Sequence, residues 1–434
     1  MFSLSYKCML GLPCWAATLA ALSCALLPDR ASAADPGSVL AMRAAEVLEG
    51  DSGATHTRDE QRPGWTWIER QVLDEANPLR VDIVGSSAVP ATKVMYVLAG
   101  GSTNFEGSFF TPNDRNLVHF LCEHGYLVVG VTPREDSVPS TQRDMRFMAS
   151  WGLEKHSADV RSIVSRLQPT LALPYEILGH SYGAITALDY AARYSGELAP
   201  ARVIALDIYV LDPEAEPKQL ADAKRTYDAH VQLLERGTYA DSGYALLKPA
   251  KEFAIATPNI TSGTSRAEYG HDGTFTFEQL LFAMIIDSSR AAGVHTDITK
   301  LPGDWLFKGS AAAGRYNFAD DPRNDRYAFT LTRYDTFLET VDAVGSGLIA
   351  VALERDVWAV NANVPGYQLD WSAVKQPVVW INSEFGYGKH RHGAALIRAS
   401  GNAHVLDEEL SGYGHGDMLW AETARTDLWE RLLP

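Results

Sequence analysis

The stretch Tyr175–Tyr190, YEILGHSYGAITALDY, limits what this chain can fold into more than any other. A short apolar run enters Gly179-His180-Ser181-Tyr182-Gly183, and helical spacing follows. A strand that meets a helix across two such glycines turns sharply, and the turn leaves the serine hydroxyl projecting above the strand end. A side chain at either glycine would press on the neighbouring strand or helix. The start of the helix adds positive potential where an oxyanion would develop. G-x-S-x-G alone arises by chance in many chains, so the flanking pattern carries the argument.

That flanking pattern is an alternation. Val94–Leu98, Tyr126–Val131, Tyr175–Leu178 and Val203–Leu206 are apolar runs of the kind found in strands buried on both faces of a parallel sheet. Helical spacing over Asp114–His124, Leu153–Leu167 and Gly183–Tyr194 separates them. Upstream, GWTWIERQVL and LRVDIVG alternate apolar and polar residues around Asn77-Pro78, which predicts two antiparallel, half-exposed strands. The alternation stops near Asp212-Pro213. Residues 213–372 then show mostly helical patterning, clearest at Phe277–Ile286 and Tyr334–Val344, broken by Gly/Pro/Asp-rich stretches. Sheet pattern resumes at Val378–Ile381, followed by a helix around Ala394–Ala399, a strand at His404–Leu406 and a helix from Asp417. The expected fold class is α/β: a mostly parallel central sheet flanked by helices, its core made of residues 64–212 and 373–434. A large, mainly helical cap over 213–372 is inserted before the next-to-last strand. The cap is expected to form much of the acyl or alcohol pocket, with Phe275, Phe277, Phe282 and Trp305 as candidates to line an apolar cavity, though most of them are expected to form the cap's own core.

Residues 1–33 read as an export signal: Lys7, the uncharged run Trp15–Leu27, and the small residues Ala31-Ser32-Ala33 before a cut. Cleavage there predicts a periplasmic or secreted chain, with 34–63 an N-terminal arm, loose or with a short helix around Ala41–Leu48. It also removes Cys8, Cys14 and Cys24, which leaves Cys122 in LVHFLCEHG without a disulfide partner; buried packing is expected of it. With 54 Asp+Glu against 38 Lys+Arg, a net charge of -16, charge-driven binding to nucleic acid or to an anionic membrane surface is not expected.

A serine hydroxyl needs a base to act as nucleophile. His415 stands out, in Ser411-Gly412-Tyr413-Gly414-His415-Gly416-Asp417, because a glycine-flanked loop after the last strand lets an imidazole swing over the sheet towards Ser181. The base needs a carboxylate to orient it. Glu384, just beyond Val378–Ile381, is the first candidate; Asp207 and Asp212, after the preceding strand, are the alternatives. The backbone N–H groups of Tyr182 and Gly101 are expected to form an oxyanion hole, with Ser102 second to Gly101. His390-Arg391-His392, with His404 nearby, has zinc-like spacing but no cysteine or carboxylate cluster to join it, and reads as a solvated basic loop. No metal or organic cofactor is expected. Asn259-Ile260-Thr261 is a glycosylation sequon, relevant only to a eukaryotic chain.

On these motifs the sequence resembles the α/β-hydrolase superfamily over 64–212 and 373–434, with 213–372 where many members carry a lid. GYGHGDMLWAETARTDLW resembles the C-terminal His motif of lipases and esterases of the acid-lipase type, in which H-x-D opens the final helix. GHSYG with the following YAARY also resembles exported aminopeptidases of the proline-iminopeptidase type. Two departures stand out: Ala99-Gly100 replaces a familiar His-Gly, and Glu384 stands where Asp is common. The resemblance implies a serine hydrolase acting on a small-molecule or lipid-like ester, with an aminopeptidase as the alternative. A catalytically silent binding protein is the reading from another class. Because the base must be neutral, activity is expected to fall towards acid pH.

Overall fold

Strands that are buried along almost their whole length occupy the middle of a nine-stranded sheet. The computed structural model describes residues 35–434 apart from 53, 73–76, 112–114, 140, 197, 242–246, 287–310, 366 and 368. The signal-like segment 1–33 and Trp305 therefore lie outside the described residues. In chain order the sheet strands are β1 (Thr55–Arg62), β2 (Trp65–Val72), β3 (Leu79–Ser86), β4 (Lys93–Leu98) and β5 (Tyr126–Val131). They continue with β6 (Tyr175–His180), β7 (Val203–Leu206), β8 (Val378–Ser383) and β9 (Val405–Leu410). Their spatial order is β1-β2-β3-β5-β4-β6-β7-β8-β9. The pairings from β1 to β5 through β3 are antiparallel, and all those beyond are parallel.

Alternate residues of β4 feed two separate cores. Val94, Tyr96 and Leu98 pack with helix Leu153–Leu171 and helix Tyr182–Arg193 on one face. Met95 and Val97 pack with helix Leu117–Glu123 and the C-terminal segment on the other. Covering both faces is what demands an unbroken apolar run and makes these strands legible.

The N-terminal stretch is more ordered than a loose arm. Helix Gly37–Ser52 buries Leu40, Ala41, Ala44 and Leu48, spaced for one helical face, against Ile68, Val81 and Ile83. That helix also explains why β3, expected to be half-exposed, is almost wholly buried. Strand β1, THTRDEQR, is polar throughout and mostly exposed, so no period-two pattern announced it. Its ladder to β2 and the Arg70–Asp59 ion pair at 2.7 Å hold it in place. Cys122 is buried, and burial pushes its thiol up to about 12, which suits packing rather than reactivity.

Between β7 and β8 lie helices Pro217–Glu235, Leu247–Ala256, Phe277–Ile286, Tyr334–Ala343 and Val351–Asn361. Among the described residues three two-stranded sheets accompany them, which the helical patterning did not foreshadow. Phe275 and Phe282 are buried with Tyr269 and Tyr316 in a core local to this segment. No helix among the described residues is long and apolar enough to cross a membrane.

A buried ion pair fastens this segment to the main core. Glu135 accepts from His156 Nε2–H at 3.1 Å and from the Ala350 N–H at 3.2 Å, while His156 Nδ1–H donates to the Gly152 carbonyl at 2.9 Å. Burial alone would lower the His156 pKa; the Glu135 carboxylate and its hydrogen bond outweigh that and push it up to about 9. A folded pKa raised above the unfolded value of roughly 6.5 stabilises fully below that value, and the stabilisation is lost as pH rises through the folded pKa. Unfolding free energy is therefore expected to drop by on the order of 2–3 kcal/mol between pH about 6.5 and about 9. Urea titrations of wild type and His156→Gln check this: the drop should flatten in the variant, and the same drop in both would refute the assignment.

Candidate active site

The turn after β6 is as tight as its glycines suggested. Ser181 sits at φ 57°, ψ −128°, a conformation that costs energy for a residue with a Cβ. It is held there from both sides: its N–H donates to Leu206 O at 2.9 Å, and its carbonyl accepts from the Ala184 N–H at 2.8 Å. A Cβ on Gly179 would stand 2.1 Å from Gly183 O, and one on Gly183 would stand 2.1 Å from Leu98 O. Neither position has room for any other residue.

The loop after β4 presses against this turn. A Cβ on Gly100 would lie 2.9 Å from Ser181 Cβ, and one on Gly101 would lie 2.9 Å from Tyr182 Cδ2. Thr103 Oγ1–H donates to Gly100 O at 3.0 Å, and Ser108 Oγ–H donates to Thr103 Oγ1 at 3.0 Å, which fixes the loop. Tyr182 opens helix Tyr182–Arg193, so its N–H has no acceptor within the helix. The loop after β4 and the start of this helix thus both pack beside Ser181.

The carboxylate at His415 belongs to Asp207. His415 Nδ1–H donates to Asp207 Oδ2 at 2.6 Å. Asp207 directly follows β7 at φ 48° and is fully buried. Its Oδ1 accepts from the N–H groups of Ser383 (2.8 Å) and Tyr387 (3.2 Å), and Oδ2 also accepts from Ser383 Oγ–H at 2.8 Å. The end of β8 therefore cradles the acid, and a Cβ on Gly386 would meet Asp207 Oδ2 at 1.9 Å.

This corrects the expectation for Glu384. Ser383, the last residue of β8, turns to Asp207, whereas Glu384 opens the turn that follows, and its Oε2 accepts from the Gly412 N–H at 2.8 Å. It braces the loop that carries His415 and does not bond the imidazole. Asp212 caps the start of the inserted segment, accepting from the N–H groups of Glu214 (2.9 Å) and Ala215 (3.2 Å), and is not at His415 either.

Sequence reasoning missed His180. Its Nε2–H donates to the His415 carbonyl at 2.9 Å, and the two rings lie 4.3 Å apart, centroid to centroid. Burial and the nearby His415 hold His180 well below the usual histidine range, so it stays neutral and serves as a shelf for the other imidazole. The only sequence signal was a histidine inside the G-x-S-x-G motif. Tyr387 meets the His415 ring edge-on at 5.0 Å. Ser181 and His415 line one cavity of about 220 Å³ together with Gly101, Tyr182, Ile349 and Trp420.

The rival histidine pair does not assemble. His390 Nδ1 lies 2.5 Å from Glu216 Oε1, whereas His392 Nδ1 lies 3.4 Å from Asp212 Oδ2. Among the described residues no three His, Cys, Asp or Glu side chains are grouped to hold a metal ion.

The mostly parallel sheet, its antiparallel flank and the strained serine between β6 and a helix define the α/β-hydrolase fold, and this chain has it. A protein of Sulfolobus solfataricus described as a lipase overlays it with a TM-score of 0.58 at 15% identity, covering 88% of this chain and 97% of the other. The thioesterase domain of the curacin biosynthetic pathway aligns at TM-score 0.43 and 14% identity, over 87% of this chain and all of its own (100%). Epoxide hydrolase A of Mycobacterium thermoresistibile also aligns at 0.43 and 14%, over 84% and 97% of the two chains. At such identities the likeness concerns the fold alone. No family model and no curated protein matches the sequence.

Proposed function

We propose that the protein is a serine hydrolase that cleaves a carboxylic ester through an acyl-enzyme. Ser181 Oγ attacks the carbonyl carbon while His415 takes its proton. Asp207 keeps the proton on Nδ1, so that Nε2 is the basic nitrogen, and stabilises the imidazolium. The Tyr182 and Gly101 N–H groups donate to the oxyanion. Collapse of the tetrahedral intermediate expels the alcohol, which receives the proton from His415. Water then repeats the sequence and releases the acid. These steps need no cofactor.

The observation that carries the proposal is the Asp207–His415 hydrogen bond beside the cavity that holds Ser181. The described residues lining that cavity include Ala311, Ile349, Tyr387 and Trp420, which suits an uncharged, small or lipid-like ester. Export belongs to the same proposal and rests on Lys7, Trp15–Leu27 and Ala31-Ser32-Ala33. The test is purified protein assayed on p-nitrophenyl acyl esters and aminoacyl p-nitroanilides, with a fluorophosphonate probe of the nucleophile. Ester turnover with labelling is expected. Turnover of anilides alone would support the aminopeptidase, and absence of labelling a silent binding protein.

A further inference from the structure

Asp417 lies two residues past His415 and is fully buried. Its Oδ2 accepts from the Gly414 N–H at 2.8 Å and from the Ala313 N–H at 2.7 Å, and its Oδ1 accepts from the Thr332 hydroxyl. Gly414 immediately precedes His415, whereas Ala313 and Thr332 belong to the segment between β7 and β8. The same two stretches meet again where the Gly416 N–H donates to Ala311 O at 2.7 Å, and Ala311 is part of the cavity wall. The join has no slack: a Cβ on Gly414 would lie 2.7 Å from Ala313 N. Among the described residues no cation pairs with Asp417, and burial raises its carboxyl to about 6. A buried carboxylate without a cation is costly, and here its acceptors are spent on both sides of one seam.

We infer that Asp417 is a positioning residue that sets the His415 imidazole relative to Ser181 by clasping the base's loop to the inserted segment. The inference rests on the Ser181–His415–Asp207 reading. It makes a chemical distinction between two substitutions. Asparagine can offer its oxygen to both N–H groups and its NH₂ to Thr332 Oγ1, whose own proton is free to rotate. Alanine offers none of these.

The experiment compares wild type, Asp417→Ala, Asp417→Asn and Thr332→Val by ester kinetics and by fluorophosphonate labelling. The labelling end point counts folded sites, and its rate reports the His415–Ser181 arrangement. Asp417→Ala is expected to lose about 10- to 100-fold in kcat and in labelling rate, with KM and end point little changed. Asp417→Asn should recover most of that loss. Thr332→Val, which removes a single bond, should slow labelling by about threefold and covers the case in which the alanine variant does not fold. Wild-type labelling rates in Asp417→Ala, an asparagine variant as slow as alanine, or losses in end point alone would each overturn the inference. Wild type that neither labels nor turns over ester would instead overturn the proposed function itself.

Discussion

Ser181→Ala is expected to lower kcat on the best ester by about 10⁵- to 10⁶-fold and to abolish fluorophosphonate labelling. The substitution removes one oxygen. It leaves the His415–Asp207 hydrogen bond and the backbone donors of Tyr182 and Gly101 where they are. Whatever rate remains therefore measures binding and oxyanion stabilisation without a nucleophile. Alanine at φ 57° is no less strained than serine, so the midpoint of thermal unfolding should stay close to that of wild type. Undiminished labelling of the variant would show that the probe reacts elsewhere and would end the case for this site.

Asp207→Asn is expected to cost about 10⁴-fold in kcat/KM, whereas Glu384→Gln should cost no more than about threefold. The asymmetry follows from the donors around each side chain. The N–H groups of Ser383 and Tyr387 both point at Oδ1 of residue 207, so an asparagine must keep its oxygen there. Its NH₂ then faces His415 Nδ1, where the native carboxylate accepts a hydrogen bond from Nδ1–H at 2.6 Å. Two donors cannot face each other, so the imidazole shifts its proton to Nε2 and can no longer act as a base. Glutamine at 384 still offers an oxygen to the Gly412 N–H. Equal losses in the two variants would refute this assignment of roles.

Much of the architecture was legible because its inner strands are buried on both faces. Runs such as YLVVGV and VMYVL have few other places to go, and the helices between them fixed the parallel sense. The strained turn at Ser181 was legible for a related reason: its motif is a steric requirement, visible as two glycines. His415 was legible from its loop. The acid was harder. Asp207 and Glu384 each stand just beyond a parallel strand, on neighbouring strands of the sheet, and which carboxylate turns inward depends on the turn that follows rather than on strand pattern. The sequence did hold a clue, since Asp tolerates the left-handed conformation found at 207 and is short enough to fit under Gly386. Strand β1 and the small sheets of the inserted segment were not legible. Polar or very short strands owe their form to a partner rather than to their own pattern. Asp417 was visible as the H-x-D residue, but nothing local shows that Ala313 and Thr332 come back to meet it.

The proposed reacting groups are made at very different times. Asp207 and His415 are 208 positions apart. A chain emerging N-terminus first can thus form the strained turn at Ser181 and the loop after β4 while the imidazole does not yet exist. On the proposed reading chemistry is the final property such a chain acquires, and a half-made molecule carries a shaped but harmless pocket.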